Sequence, residues 1–153
     1  MNVRLLGAAG AVAALALSAC GSSSSPTSAS AATLTKADWV TQANAICKDL
    51  NTRAQAIAPK SQADLGPAIT KMAQLSGEDI PKLAALKPPA EIQADVSTMV
   101  TAYQKVNQGF HDAAAKVAAG DVSGASALMD TATQAGTAVD TVATKLGATE
   151  CAS

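Results

Sequence analysis

The feature that most constrains the fold of this chain is a row of apolar residues between positions 92 and 117. They recur at spacings that alternate between four and three without a slip: Ile92, Val96, Met99, Tyr103, Val106, Phe110, Ala113 and Val117. Such spacing places the side chains on one face of an α-helix and does not fit the twofold alternation of a half-buried strand. The pattern predicts a long amphipathic helix that Gly120 ends and that other helices must cover.

Two other segments show the same period and have recognisable ends. In the first, Thr35 is a predicted N-cap with Asp38 as its capping-box partner, and the apolar stripe that begins at Trp39 continues until Pro59 ends the helix. In the last, Asp121 is a predicted cap, and the stripe ends at Gly147. Both segments are therefore expected to form amphipathic helices.

The remaining segment, between positions 66 and 86, is less regular. Its apolar residues keep helical spacing, but Gly66 and Pro67 delay its start, and Pro81 follows four residues after Gly77. Because proline lacks an N–H group and its ring clashes with the preceding turn, we expect a kink or a break near residues 76–79. A sharp turn is predicted at residues 87–89, where a lysine precedes two prolines.

Four helices with short connections predict an all-α fold, an antiparallel up-down four-helix bundle whose second helix is kinked or broken. The bundle is expected to occupy residues 34–153, a length that suits one domain. The chain contains one Trp, one Tyr and one Phe and is rich in alanine, a composition that favours helix over sheet.

Residues 1–19 have the layout of a secretory signal peptide. Arg4 supplies a positive charge, residues 5–17 are an unbroken apolar run, and small residues follow at positions 18 and 19. The apolar run is shorter than the roughly 20 residues that a membrane-spanning helix requires. We therefore expect the leader to be cleaved.

The sequence Leu17-Ser18-Ala19-Cys20 resembles the lipobox of bacterial lipoproteins. The resemblance implies that the Cys20 thiol carries diacylglycerol, with acyl chains such as palmitate, and that Cys20 becomes the first residue of the mature chain. The protein would then be anchored by lipid to the outer face of the cytoplasmic membrane. The Ser-rich residues 20–33 lack large apolar side chains and are expected to form a flexible tether. The alternative is an ordinary secreted protein with a cysteine at the cleavage site.

Cys47 and Cys151 are the two cysteines that remain once Cys20 is acylated. In an oxidising compartment two cysteines allow one intramolecular pairing, and the fourth helix of the bundle should end beside the first half of the first helix. The sequence therefore predicts a structural disulfide. The alternative, a metal or redox pair, has little support because the chain has no Cys-x-x-Cys motif and only one histidine, His111.

Three stretches carry a resemblance to a loose group of small actinobacterial secreted lipoproteins: "LTKADWVTQANAICKDLNTR", "LAALKPPAEIQAD" and the C-terminal "LGATECA". Together they extend over most of residues 34–152. The resemblance implies a helical bundle, a location at the cell surface and the pairing of Cys47 with Cys151. It implies no activity.

The sequence contains no convincing set of catalytic groups. His111 and Asp112 are adjacent on a predicted helix and point in different directions, and the neighbouring acids Glu78 and Asp79 are typical of a helix cap or a solvated turn. No Glu-x-x-His or Cys-x-x-Cys-His motif occurs. We therefore expect a protein that is not an enzyme and holds no metal or cofactor. A net charge of −1, with both signs scattered, argues against nucleic acid as a partner.

Binding is the function class that remains. Trp39, Met99, Tyr103 and Phe110 could line a groove between helices, although an aromatic or Met stripe at this spacing is more often plain core. Tyr103 is the exception, because a buried phenol needs a hydrogen-bond partner that an apolar stripe does not supply. The sequence favours a tethered binding or adaptor module for an envelope protein, polymer or lipidic ligand. The alternative is a structural surface lipoprotein without a small-molecule site.

Overall fold

The computed structural model describes residues 33–152, which form an all-α fold. The four α-helices are α1 (Lys36–Gln55), α2 (Leu65–Ala85), α3 (Ala90–Ala118) and α4 (Val122–Leu146). Short 3₁₀ helices precede α2 (Gln62–Asp64) and follow α4 (Thr149–Cys151), and these described residues include no strand. None of their helices has the length and apolar character needed to cross a membrane. The predicted signal peptide, Cys20 and the tether up to residue 32 lie outside the described residues.

The helix ends agree with the sequence where a capping residue marks them. Thr35 is the N-cap of α1 and accepts a hydrogen bond from the Asp38 N–H at 3.2 Å. Asp121 caps α4 and accepts from the Gly124 N–H at 2.8 Å. Gly147 ends α4 with a φ of 85°, a left-handed conformation that favours glycine. These local interactions fix the two helix starts and one helix end.

Helix α1 ends at Gln55, four residues before the predicted end at Pro59. The Ile57 N–H bonds to the Ala54 carbonyl, so the last turn tightens before the chain leaves the helix. Pro59 has no N–H to offer the Gln55 carbonyl, and a residue that precedes proline is driven out of the α conformation. The influence of the proline therefore extends several residues towards the N-terminus.

Helix α2 continues through the region where a kink or a break was expected, so it is not broken. Pro81 and Gly77 both lie on the exposed face, where water can reach the Gly77 carbonyl that lacks a helical partner. On the opposite face Asp79, Ile80 and Leu83 are buried. Burial of that face holds the helix together across the proline.

The main core lies at one end of the bundle, which we call the core end. Its fully buried large side chains include Trp39, Leu83, Met99 and Val139, one from each helix. Trp39 and Met99 belong to the first halves of α1 and α3, whereas Leu83 and Val139 belong to the second halves of α2 and α4. This arrangement is consistent with helices that alternate in direction, as the up-down prediction requires.

Candidate functional site

An apolar groove lies at the other end of the bundle, beyond the main core. Its volume is about 340 Å³. All four helices or their connections contribute to it, and its large side chains are Ile57, Leu65, Ile69, Met72, Phe110 and Met129. Ile57 follows the end of α1, while the other five side chains project from α2, α3 and α4. These six residues define the apolar groove.

Small residues bring α3 and α4 into close contact. Two buried positions of α4 are alanines, Ala125 and Ala132. Gly109 of α3 packs so closely on α4 that an added Cβ would lie 2.7 Å from the Ala132 Cβ. Helix α1 ends at Gln55, so the non-helical residues 57–59 take its place at the groove.

The chemistry of the apolar groove is limited to contact with carbon and sulfur. None of the six defining side chains carries a hydrogen-bonding N–H or O–H group. Met72 and Met129 have flexible, polarisable thioethers that adapt to ligands of irregular shape. Burial of apolar ligand surface at about 25 cal/mol per Å² is therefore the interaction that this site offers.

A smaller polar pocket adjoins the apolar groove. Its volume is about 230 Å³, and it shares Ile57, Ala58, Pro59 and Ala68 with the groove. We call it the lysine pocket, because its charged side chains are Lys60, Asp64 and Lys71.

The charges of the lysine pocket do not neutralise one another by direct contact. Asp64 accepts a hydrogen bond from the Ser61 hydroxyl at 2.7 Å. The ion pairs formed within residues 33–152 include neither Lys60 nor Lys71. Two ammonium groups and one carboxylate give the pocket an excess of positive charge.

The structure separates the four side chains that were predicted to line a groove. Trp39 and Met99 are fully buried in the main core. Tyr103 packs against that core and is half-buried. Phe110 lines the apolar groove. One helix stripe therefore contributes to the core at one end and to the groove at the other.

Tyr103 obtains its hydrogen-bond partner from the C-terminal segment. Its hydroxyl donates to the Cys151 carbonyl oxygen at 2.8 Å and lies 3.8 Å from the Cys47 Sγ atom. Burial, assisted by the negative charge of Asp140, raises the pKa of Tyr103 to about 12. The phenol is thus held neutral as part of the structure.

The predicted pair of Cys47 and Cys151 is present, with the two Sγ atoms 1.98 Å apart and the two Cα atoms 5.0 Å apart. Both cysteines are buried. Two asparagines of α1 reinforce the link: Asn44 accepts from the Glu150 N–H at 3.0 Å, and Asn51 donates to the Glu150 carbonyl at 2.9 Å. The last residues of the domain are therefore fastened along α1.

A charged cluster joins α1 to the middle of α2. Asp79 is 1 % exposed, and it pairs with the Arg53 guanidinium and, at 2.7 Å, with the Lys82 Nζ atom. Arg53 also contacts Glu78 at 3.1 Å and Asp49 at 2.9 Å. The prediction that the Glu78-Asp79 pair forms a cap or a solvated turn is wrong for Asp79, because α2 continues through it and buries its carboxylate.

His111 and Asp112, which are adjacent in α3, are separate in their contacts. His111 is exposed, and the neighbouring Asp112 accepts a hydrogen bond from Gln108 at 2.8 Å. Within residues 33–152 no group of three or more His, Cys, Asp or Glu side chains is placed to hold a metal ion. No family model, curated protein or solved structure matches this chain. Functional inference therefore depends on the geometry of the groove.

Sequence reasoning missed most of the groove residues. Ile57 lies just past the end of α1, Leu65 begins α2, and Met129 falls beside the apolar stripe of α4. A signal was present at position 129, where a flexible methionine interrupts a helix whose other apolar residues are mostly alanine and valine. Spacing alone does not show at which end of a bundle the packing is incomplete.

Proposed function

We propose that this protein is a non-catalytic binding or adaptor module, held by lipid at the outer face of the cytoplasmic membrane. Its ligand would be an envelope protein, a polymer or a lipidic molecule whose apolar part enters the groove. The observation that supports this proposal is a groove of about 340 Å³ whose large side chains are all apolar. An open apolar surface of this kind is typical of an interaction site.

Two features support the proposed location. The leader and the lipobox-like Leu17-Ser18-Ala19-Cys20 indicate export and acylation of Cys20. A buried pair of cysteines at bonding distance suits an oxidising compartment, where disulfides persist. Both features agree with a domain outside the cytoplasm.

A structural surface lipoprotein is the second candidate, and the exterior of α4 favours it. Thr131, Thr133, Thr137 and Thr141 are exposed, and each hydroxyl donates to a carbonyl one turn earlier in the same helix. A threonine hydroxyl that donates within its own helix is less available to donate a hydrogen bond to a partner. The open groove argues against this candidate, because a protein with a purely structural role does not require one.

Mass spectrometry of the protein purified from membranes tests the proposed anchor. We expect a mature chain that begins at Cys20 and carries two or three acyl chains. The control is Cys20→Ala, which removes the acylated sulfur and should abolish both acylation and cleavage. A wild-type chain with a bare thiol at Cys20, or with its leader still attached, would contradict the proposal.

Photo-crosslinking in living cells tests the binding function. A photoreactive residue replaces Leu65, which is 36 % exposed and lines the groove, and in a control strain replaces Gln42, which is exposed on α1. We expect a discrete adduct from position 65 and none from position 42. Equal labelling at both positions, or none at either, would favour the structural alternative.

A further inference from the structure

We propose that the apolar groove and the lysine pocket together bind an amphiphile with one acyl chain and an anionic head group, such as a long-chain fatty acid. The chain occupies the groove, and the head group lies beside Lys60 and Lys71. This inference deepens the proposed binding function and rests on it. The observation that carries it is the adjacency of the two pockets, which share four lining residues.

The apolar groove fits an acyl chain better than a polar ligand. Its six large side chains offer no hydrogen bond, so a polar group placed there would lose its contacts with water without replacement. A volume of about 340 Å³ falls within the usual range for small-molecule sites. It is roughly twice that of a cavity of about 150 Å³ known to hold benzene. This space suits a single aliphatic chain.

The lysine pocket supplies charge complementarity for the head group. Lys60 and Lys71 form none of the ion pairs within residues 33–152, and Asp64 already accepts the Ser61 hydroxyl. A lysine side chain carries its ammonium on a flexible aliphatic stem, so it can cover part of the chain and still reach a carboxylate. An anionic head group therefore meets two available cations where the apolar lining ends.

The acyl chains of the proposed anchor are a poorer fit. Stable attachment to a membrane takes the insertion of these chains into the bilayer, so chains that anchor the protein are not available to the groove.

A second copy of the chain is also a poorer fit. A stable interface buries roughly 800 Å² on each partner. In the part of the chain that the structure describes, the exposed large hydrophobic residues are Leu65 and Val122, and Leu65 already belongs to the groove. Within residues 33–152, Val122 is then the one exposed large hydrophobic side chain left to enter the groove of a neighbour.

Calorimetric titration of a chain that begins at Gly21 tests the proposal. All described helices, the core and the cysteine pair lie within residues 34–152, so this shortened chain keeps them. The probes are dodecanoate and dodecyltrimethylammonium, which have the same chain length and opposite head-group charges. We expect one dodecanoate to bind per chain, more tightly than the cationic amphiphile.

Substitutions of the two lysines test the position of the head group. The double variant Lys60→Gln, Lys71→Gln should weaken dodecanoate binding about fivefold, the effect of two solvent-screened charge interactions. It should leave dodecyltrimethylammonium binding unchanged or stronger. The matched control is Lys36→Gln, Lys48→Gln, which removes two exposed lysines of α1 and should have no effect on either probe.

Substitutions in the groove test the position of the chain. Ala68→Phe fills the boundary between the two pockets and should weaken both probes at least tenfold. Ala85→Phe, at an exposed position of the same helix, is its control. Leu65→Gln is a second, milder groove variant at an exposed site, and it should also weaken both probes. Circular dichroism verifies that each variant is folded.

The outcomes distinguish the proposed ligand class, an anionic amphiphile, from the broader proposal of a binding module. Equal affinity for both amphiphiles, or dodecanoate binding that the groove variants leave unchanged, overturns the ligand class. If neither amphiphile binds while position 65 still yields a discrete protein adduct in cells, the ligand class is wrong and the binding module stands. A dimer that Leu65→Gln dissociates would identify a second copy as the occupant. If neither amphiphile binds and position 65 yields no adduct, both the proposed ligand class and the proposed binding function are wrong.

Discussion

Tyr103 illustrates which features of a residue on an apolar stripe can be predicted from the sequence. Its position on an apolar helix face predicted a phenol in need of a partner, and that need could be read from the sequence. The partner is the backbone carbonyl of Cys151, 48 residues away. A backbone carbonyl has no sequence signature, so this partner follows only from the packing of the C-terminal segment beside α3.

Titration of Tyr103 gives a direct test of its burial. It is the only tyrosine in the chain, so absorbance at 295 nm reports its ionisation alone. We expect a midpoint near pH 12 in the folded protein and near pH 10 in denaturant, because burial raises the pKa to about 12. A folded-state midpoint near 10 would show that the phenol is open to solvent.

The same shift predicts a loss of stability at alkaline pH. Between about pH 10 and 12 the unfolded chain binds fewer protons than the folded chain, so the free energy of unfolding falls as the pH rises. A shift from 10.0 to about 12 corresponds to a fall of about 2 to 3 kcal/mol. Tyr103→Phe should remove this component in denaturant unfolding curves. An identical pH slope in both proteins would contradict the assignment.

Arg53 pairs with the buried carboxylate of Asp79 and offsets the free-energy cost of burying that charge. The variant Arg53→Met tests this contribution to stability. The substitution leaves Asp79 with Lys82 as its remaining ion-pair partner. We expect the free energy of unfolding to fall by more than in the control, because a buried carboxylate loses a charged hydrogen-bond partner. The control is Lys145→Met, which breaks an exposed pair with Asp95 and should lower the free energy of unfolding by less than about 1 kcal/mol. Equal effects in urea unfolding would contradict a special role for Arg53.

At the level of elements, the helices could be predicted from the sequence more completely than their ends. Capping residues such as Thr35 and Asp121 act through neighbouring backbone groups, so local rules found them. The effects of the prolines were predicted less well. Helix α1 ends at Gln55, before the predicted end at Pro59, and of the kink or break expected near residues 76–79 the break is absent, because α2 continues through Pro81. Whether a proline interrupts a helix depends on burial of the opposite face, and spacing does not report that burial.

The close approach of α3 and α4 gives a prediction with a matched control. Gly109→Ala places a Cβ 2.7 Å from the Ala132 Cβ, so the helices must separate. The overpacking should outweigh the gain in helix propensity and lower the free energy of unfolding by about 1 kcal/mol. Gly136→Ala enters open space on α4 and should raise it by about 0.5 to 1 kcal/mol. Stabilisation by both substitutions, measured by urea unfolding, would show that α3 and α4 do not meet at Gly109.

At the scale of the whole molecule, the main core and the apolar groove lie towards opposite ends of the bundle. The sequence supported a binding module and named Phe110 as a groove residue, and Phe110 is in the groove. It also named Trp39 and Met99, which are buried in the core. Trp39, Met99 and Phe110 all lie on the apolar stripes of their helices. The groove forms past the residue where α1 ends, and helical periodicity does not give that residue.

Removal of the disulfide should have a large effect on the stability of this domain. The paired cysteines are 104 residues apart, and the chain-entropy relation gives about 4.7 kcal/mol for a loop of that size. We expect the double variant Cys47→Ala, Cys151→Ala to lose roughly 2 to 5 kcal/mol and to show a markedly lower Tm. Tyr103→Phe, which removes one hydrogen bond of the same segment, is the control and should lose less. A native protein whose Cys47 reacts freely with an alkylating reagent would contradict the pairing.

The bond between Cys47 and Cys151 also bears on how the protein survives proteolysis. The two cysteines enclose the end of α1, all of α2, α3 and α4, and every connection between them. A single peptide-bond cleavage anywhere between them divides the backbone, but both pieces stay covalently attached. A protease must therefore cut at least twice between Cys47 and Cys151 to release a fragment from that region, and one cut there leaves α2, α3 and α4 in a single molecule.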